Sequence, residues 1–123
     1  MKGNYLVLGA SSGLGKNVSE NLLSEGFSVV GIGRSAQKLQ AISSQQKTNS
    51  FHTESFNVDN FDDCLEFLTA IAKKFGPFEG IFNSLGQERF KALKMIKNKD
   101  IELAFNPIIF STLAILKLSF KKE

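Results

Sequence analysis

What this chain has little of narrows the reading first. Cys64 is the only cysteine, so no internal disulfide can form, and His52 is the only histidine, with no carboxylate or thiol at a convincing ligand spacing. A metal site is therefore not expected. No basic-then-apolar leader stands at Met1, which is the expectation for a chain that is not exported, and a reducing cytoplasm is the expected setting. No block of like charge occurs either. Fifteen Lys and Arg against 12 Asp and Glu leave a formal charge of +3, scattered along the chain, which reads as solubility and not as a nucleic-acid footprint. The apolar stretch from Phe105 to Phe120 is broken by Asn106, Pro107, Ser111, Thr112 and Lys117, so a buried helix is expected there and no membrane partner.

What is present suffices for a core. At 123 residues and 42% hydrophobic composition the chain can remove roughly two-thirds of its unfolded surface from water, and a single domain over residues 1–123 is expected. Tyr5 to Leu8 and Phe27 to Ile32 are short continuous apolar runs, as suits parallel strands covered on both faces. Between them Leu14, Val18 and Leu22 recur at fourfold spacing, with Gly26 as a helix-ending residue. Ser35 to Ile42 carries Leu39 and Ile42 at threefold spacing, and the polar run from Ser43 to Ser50 reads as a connection. Phe51 to Val58 reads as a third strand, polar enough for a sheet edge.

The clearest helix follows. Phe61, Leu65, Leu68, Ala72 and Phe75 form one stripe, with Asp62, Asp63 and Glu66 near its start and Lys73 and Lys74 near its end. Gly80 to Asn83 gives a fourth strand, and Ile101 to Phe120 a helix interrupted near Pro107. The alternation predicts an α/β fold, with four parallel strands, helices on both faces and right-handed crossovers.

Between the first strand and its helix, Gly9, Gly13 and Gly15 are spaced G-x-x-x-G-x-G. In this position Gly9 turns the chain, Gly13 lets a phosphate approach the backbone, and Gly15 brings helix close to strand. Free amides at the helix start face the anion, and Ser11 and Ser12 add hydroxyl donors.

"LGASSGLG" closely resembles the T-G-x-x-x-G-x-G cofactor motif of the short-chain dehydrogenase/reductase family, and "FNSLG" at Phe82 to Gly86 resembles its N-N-A-G motif. The resemblance implies a Rossmann-type doubly wound sheet, truncated, with strand order 3-2-1-4 and four helices. It also implies hydride transfer between a nicotinamide cofactor and a carbonyl or alcohol. By the same resemblance the cofactor residues are Gly9, Ser11, Ser12, Gly13, Leu14, Gly15, Asn57, Val58, Asn83 and Gly86. "FNVD" at Phe56 to Asp59 matches the family's D-V pair, with Asn57 in place of the acid, a neutral and weaker acceptor for the adenine amino group. Leu8, Ser84 and Leu85 also depart from the motifs, which loosens their supports.

Where an NAD enzyme places an acid, about 20 residues beyond the glycine turn, this chain has Gly33 and Arg34. With Ser35, Arg34 favours a 2′-phosphate, hence NADP(H) over NAD(H).

The resemblance covers the whole chain, but the chain matches only about the first half of the family pattern. The family's Y-x-x-x-K pair is absent: the only tyrosine is Tyr5, and four residues on stands Gly9. The family's catalytic asparagine falls either on Asn106 or, in the favoured register, on the position of Ile108, leaving Asn106 and Pro107 as a helix kink. No catalytic residue is assigned. Two functions stay open: part of an oxidoreductase whose remaining half lies elsewhere, or a non-catalytic dinucleotide-binding or interaction module. Cys64, beside Asp62 and Asp63, reads as an unreactive thiol, and Lys91, Lys94, Lys97 and Lys99 as a solvated face. An open edge on the fourth strand, with apolar residues around the last helix, leads to an expectation of self-association or of a complementary fragment.

Overall fold

A computed structural model describes residues 3–11, 13–46, 49–85 and 93–119. Their order is β1 (Asn4–Leu8), α1 (Gly13–Ser24), β2 (Ser28–Gly33), α2 (Ala36–Gln45), β3 (Phe51–Ser55), α3 (Phe61–Phe75), β4 (Gly80–Asn83) and α4 (Asn98–Ser119), with one 3-10 turn at Leu93–Met95. The strands form one sheet in the order β3-β2-β1-β4, and all three pairings are parallel. The expected fold class, strand order and four helices are therefore those observed.

The chain divides into two compact units. The first holds residues 1–57 and 70–84, and the second residues 58–69 and 85–123. In the first, β1 and β2 are covered on both faces, which is why their sequences are continuously apolar. Val7, Val29 and Phe51 point to one side and are buried with Leu23 of α1 and Leu39 and Ile42 of α2. Each such large side chain contributes about 1.5–3 kcal/mol by leaving water. Leu6, Leu8, Val30 and Ile32 are buried on the opposite side, where α3 ends. There Asn4 Nδ2 donates to the Phe75 carbonyl at 2.8 Å, and the His52 and Phe75 rings lie 5.2 Å apart. β3 is the polar edge: His52 is exposed, and Glu54 pairs with Lys74 at 3.7 Å.

In the first unit the structure differs from the sequence expectation at Leu14 and at the end of β3. Leu14 is not part of the core face of α1. It is 69% exposed, and the buried face runs through Gly15, Ser19 and Leu23, with Val18 and Leu22 partly covered. The reason is that helix and strand approach most closely at Gly15, which turns its neighbour outward. β3 ends at Ser55, earlier than the apolar pattern implies, although Val58 beyond it is buried.

In the second unit Asn60 caps α3, its Oδ1 accepting from the Asp63 amide at 2.8 Å. Helix α4 begins at Asn98, where Asp100 Oδ2 accepts from the Lys97 amide at 2.9 Å, and runs through Pro107 without interruption. It is also less buried than expected: only Ser111 and Ala114 are fully covered, while Phe105, Ile109, Leu113 and Leu116 are exposed. By length and composition it is apolar enough to cross a membrane, with a mean hydropathy of 1.6.

Candidate functional site

Because every pairing is parallel, the carboxyl ends of all four strands emerge at one edge of the sheet. The register sets Leu8 beside Ile32 and Asn83, and Gly33 beside Ser55. This edge brings together the turn from Gly9 to Gly15, the segment from Gly33 to Ser35, Asn57, and Asn83 with Ser84. Crevices outside strand carboxyl ends, where the strand order reverses, are the usual ligand sites of open α/β sheets, and here β1 is the strand at which the order reverses.

The turn is tied to its neighbours on both sides. The Gly9 and Ala10 amides donate to the Ile32 carbonyl at 2.8 and 3.0 Å, and the Ser84 amide donates to the Leu8 carbonyl at 3.0 Å. The Ser84 hydroxyl donates to the same carbonyl at 3.1 Å and lies 3.4 Å from that of Gly9. Gly9 has φ +84°, and a Cβ there would come 2.5 Å from Ser84 Oγ. At Gly15 a Cβ would fall onto the Gly9 carbonyl oxygen, so α1 can start this close to β1 only with glycine at that position.

Gly13 is the opposite case. Its φ is +60°, and a Cβ would meet nothing within 4 Å. The first amides of α1 have no carbonyl of their own helix to donate to, and they border this open space at the positive end of the helix dipole. A phosphate group fits the arrangement, with open backbone at Gly13 beside the amino end of α1. Ser11 is half-buried, with its hydroxyl and Cβ 3.0 and 3.1 Å from where a Cβ on Gly33 would stand. Leu14 is exposed at the rim.

At the end of β2, Arg34 is exposed, and its backbone carbonyl accepts from Ser55 Oγ at 3.0 Å. Ser35 is the N-cap of α2: its oxygen accepts from the Lys38 amide at 3.2 Å, which leaves the hydroxyl proton free to donate. Asn57 is exposed just past β3, Val58 is buried, and Asn83 is half-buried at the end of β4. Ser12 and Gly86 lie outside the described residues. A cleft of about 350 Å³ opens beside the turn, lined by Ser11, Gly13, Lys16, Lys38 and Gln45 among others. Sequence reasoning missed Ser84, Lys16 and Lys38. Ser84, read as a loosened support, holds the turn, and Lys16 and Lys38 line the cleft. The first needs the β1–β4 register to be seen, and the lysines the packing of α1 and α2.

Among the described residues no group of three acidic, histidine or cysteine side chains could hold a metal ion. Cys64 is buried at 1% exposure, and burial pushes its thiol pKa up, away from the reactive thiolate. Tyr5 is at the opposite end of β1 from the turn, with its ring edge-on to Phe27 at 5.0 Å.

The comparisons with known proteins agree with this geometry. The family profile described as short chain dehydrogenase matches residues 4–122. Serine 3-dehydrogenase from Agrobacterium fabrum is 30% identical over 86 residues, which is 70% of this chain and 34% of that protein. A short chain dehydrogenase structure from Bacillus anthracis superposes with a TM-score of 0.81 at 24% identity, covering 97% of this chain and 50% of that one. An alcohol dehydrogenase from the archaeon Thermococcus sibiricus, solved in complex with 5-hydroxy-NADP, gives a TM-score of 0.79 at 20% identity over 94% of this chain and 52% of that one. The chain thus spans about a third of the length of the curated relative and about half of the solved ones. With the motif, strand order and profile in agreement, the chain belongs to the short-chain dehydrogenase family.

Proposed function

We propose that residues 1–123 act as one cofactor-binding domain, the NADP(H)-binding portion of a short-chain oxidoreductase. The observation that carries this reading is the turn at Gly13, open to a ligand, at the switch point of a parallel sheet. The turn and the first amides of α1 hold the pyrophosphate, with Ser11 and Ser12 donating beside it and Leu14 at the rim. Asn57 accepts from the adenine amino group, with Val58 completing the pair by its motif. Asn83 stands on the nicotinamide side of the turn, and Gly86 is assigned to the cofactor by its motif alone. Arg34 and Ser35 meet the 2′-phosphate, a charged interaction of about 1.5–3 kcal/mol. Gly33 supports the same preference, since an acid at that position would have to displace Ser11. The cofactor, when bound, supplies or accepts a hydride. The relative solved with 5-hydroxy-NADP fits this choice.

The chain by itself does not turn substrate over. It lacks a Y-x-x-x-K group, and positioned proton transfer contributes about 10²–10⁴-fold. The last helix serves association, either with a second copy or with a polypeptide carrying the remaining elements of the family pattern. The setting is cytoplasmic, and nucleic acid is not a partner. The exposed apolar α4 also favours a second reading, a non-catalytic dinucleotide-binding or interaction module.

Calorimetric titration with NADPH and NADH tests the cofactor. Tighter NADPH binding, reduced by Arg34→Ala, is expected, and equal affinities refute the preference. A spectrophotometric screen of NADPH oxidation against aldehydes, ketones and quinones tests the lack of turnover, and sustained turnover surviving repurification refutes it.

A further inference from the structure

The stretch that leads into α4 presents apolar and basic side chains to water together. Leu93 is 86% exposed, Met95 57% and Ile96 41%, and Lys94, Lys97 and Lys99, interleaved with them, are exposed as well. Their backbone is hydrogen-bonded locally: the Ile96 amide donates to the Leu93 carbonyl at 3.2 Å, and the Asp100 and Ile101 amides donate to the Lys97 carbonyl at 3.0 and 3.3 Å. In a 3-10 turn residues three apart share a side, so Leu93 and Ile96 stand together, with lysines next to them along the chain. Ile101 and Phe105, one turn apart on α4, add a second exposed apolar pair. The acids of this stretch are Asp100, whose Oδ2 accepts from the Lys97 amide at 2.9 Å, and Glu102, which is exposed. Beyond them no charged residue occurs from Leu103 to Leu116.

Apolar side chains gathered on a surface mark a contact, and whatever covers these has to suit the lysines among them. The centre of a protein interface is depleted in lysine. At an anionic bilayer the two kinds of side chain act together: the apolar ones enter the boundary between headgroups and acyl chains, while lysine stems lie along it and the ammonium groups reach the phosphates. A second copy of this surface would set lysine against lysine, whereas lipid phosphates meet the lysines with opposite charge. We infer that the stretch from Leu93 to Phe105 docks on an anionic bilayer surface, with Leu93, Met95 and Ile96 entering the lipid and Lys94, Lys97 and Lys99 on its phosphates. The sequence pointed instead to a solvated lysine face and no membrane partner, because the exposure of the apolar neighbours is not visible in it. The docking needs no cofactor, and it leaves Ile109 and Leu116, farther along α4, for association.

The test is co-sedimentation of the whole chain with vesicles of phosphatidylcholine alone and of phosphatidylcholine and phosphatidylglycerol in equal parts, with circular dichroism to verify that each variant folds. The substituted side chains are exposed, so the fold should tolerate the changes. The wild type should bind the anionic vesicles, not the neutral ones, and should be released by high salt. A lysine near an anionic surface is worth about fivefold in binding, so Lys94→Gln, Lys97→Gln and Lys99→Gln together should weaken it by about a hundredfold. Leu93→Ser with Ile96→Ser should weaken it at unchanged charge, and Glu102→Gln, which removes an acid, should strengthen it by about fivefold. A folded wild type that stays in the supernatant with both vesicles overturns the inference, as does equal binding to both or a triple lysine variant that binds like the wild type. Light scattering in which Leu93→Ser with Ile96→Ser dissolves a wild-type oligomer that ignores vesicles assigns the surface to a second copy and also overturns it.

Discussion

Gly9, Gly15 and Ser84 form a contact that leaves no room for a methyl group, whereas Gly13, in the same turn, has open space around it. Gly15→Ala would drive a Cβ into a backbone carbonyl that cannot rotate away, and overpacking of this kind costs about 1–3 kcal/mol. Gly13→Ala meets no atoms and loses only about 1–2 kcal/mol to its left-handed backbone. Urea denaturation should therefore rank Gly15→Ala as the less stable variant, and the reverse order would contradict the close approach. Ser84→Ala should lose about 1 kcal/mol, the usual worth of an intramolecular hydrogen bond. The glycines were legible in the sequence because their spacing follows a strand. Ser84 was not, because its partners lie 75 and 76 positions away along the chain and only the β1–β4 pairing brings them together.

Cys64 adds a pH dependence at the same scale. Burial raises its folded pKa, so above the unfolded value of about 8.5 the unfolded chain releases a proton that the folded chain retains. The contribution of the buried neutral thiol is therefore fully present below that pH and is lost as pH rises toward the folded pKa. Labelling by a thiol reagent should be slow in native buffer and follow unfolding in denaturant, and rapid native labelling would contradict the burial.

At the scale of the element, α3 shows how a period can be right and its centre displaced. The stripe of Phe61, Leu65, Leu68, Ala72 and Phe75 marks a helix, but the fully covered line is Cys64, Leu68 and Ile71. The small thiol is fully covered while larger side chains of the stripe, Phe61 and Leu65, are half-covered, which a count of hydrophobic residues does not register. Asn60 closes the start of α3 through the Asp63 amide, so Asn60→Ala should lower stability by about 1 kcal/mol, as read by thermal or urea unfolding. Helix α4 was legible as apolar, but its exposure was not, because burial depends on what surrounds a helix and not on its composition. Ile109 and Leu116 lie two turns apart on one face, and both are exposed. If α4 mediates association, light scattering should give a mass that rises with concentration, and Ile109→Lys with Leu116→Lys should abolish the rise. A wild type that stays monomeric at high concentration would contradict that role.

For the molecule as a whole, a parallel sheet was legible because strands alternate with helices, and the order β3-β2-β1-β4 was legible only through the resemblance of the glycine turn and "FNSLG" to the family motifs. That order sets the glycine turn, the end of β2, Asn57 and Asn83 along one edge, and the proposed cofactor site depends on this juxtaposition more than on any single residue. The part of the site supplied by α2, chiefly Lys38, was not legible, since it arises from how that helix packs beside the turn. The most direct measurement is an amide correlation spectrum of isotopically labelled protein during titration with NADPH. Saturable shifts should concentrate at Gly9 to Lys16, Arg34 to Lys38, Asn57 and Asn83, with NADH producing weaker changes near Arg34 and Lys38. A folded protein whose spectrum does not change, or changes only away from the strand carboxyl ends, would contradict dinucleotide binding at this edge.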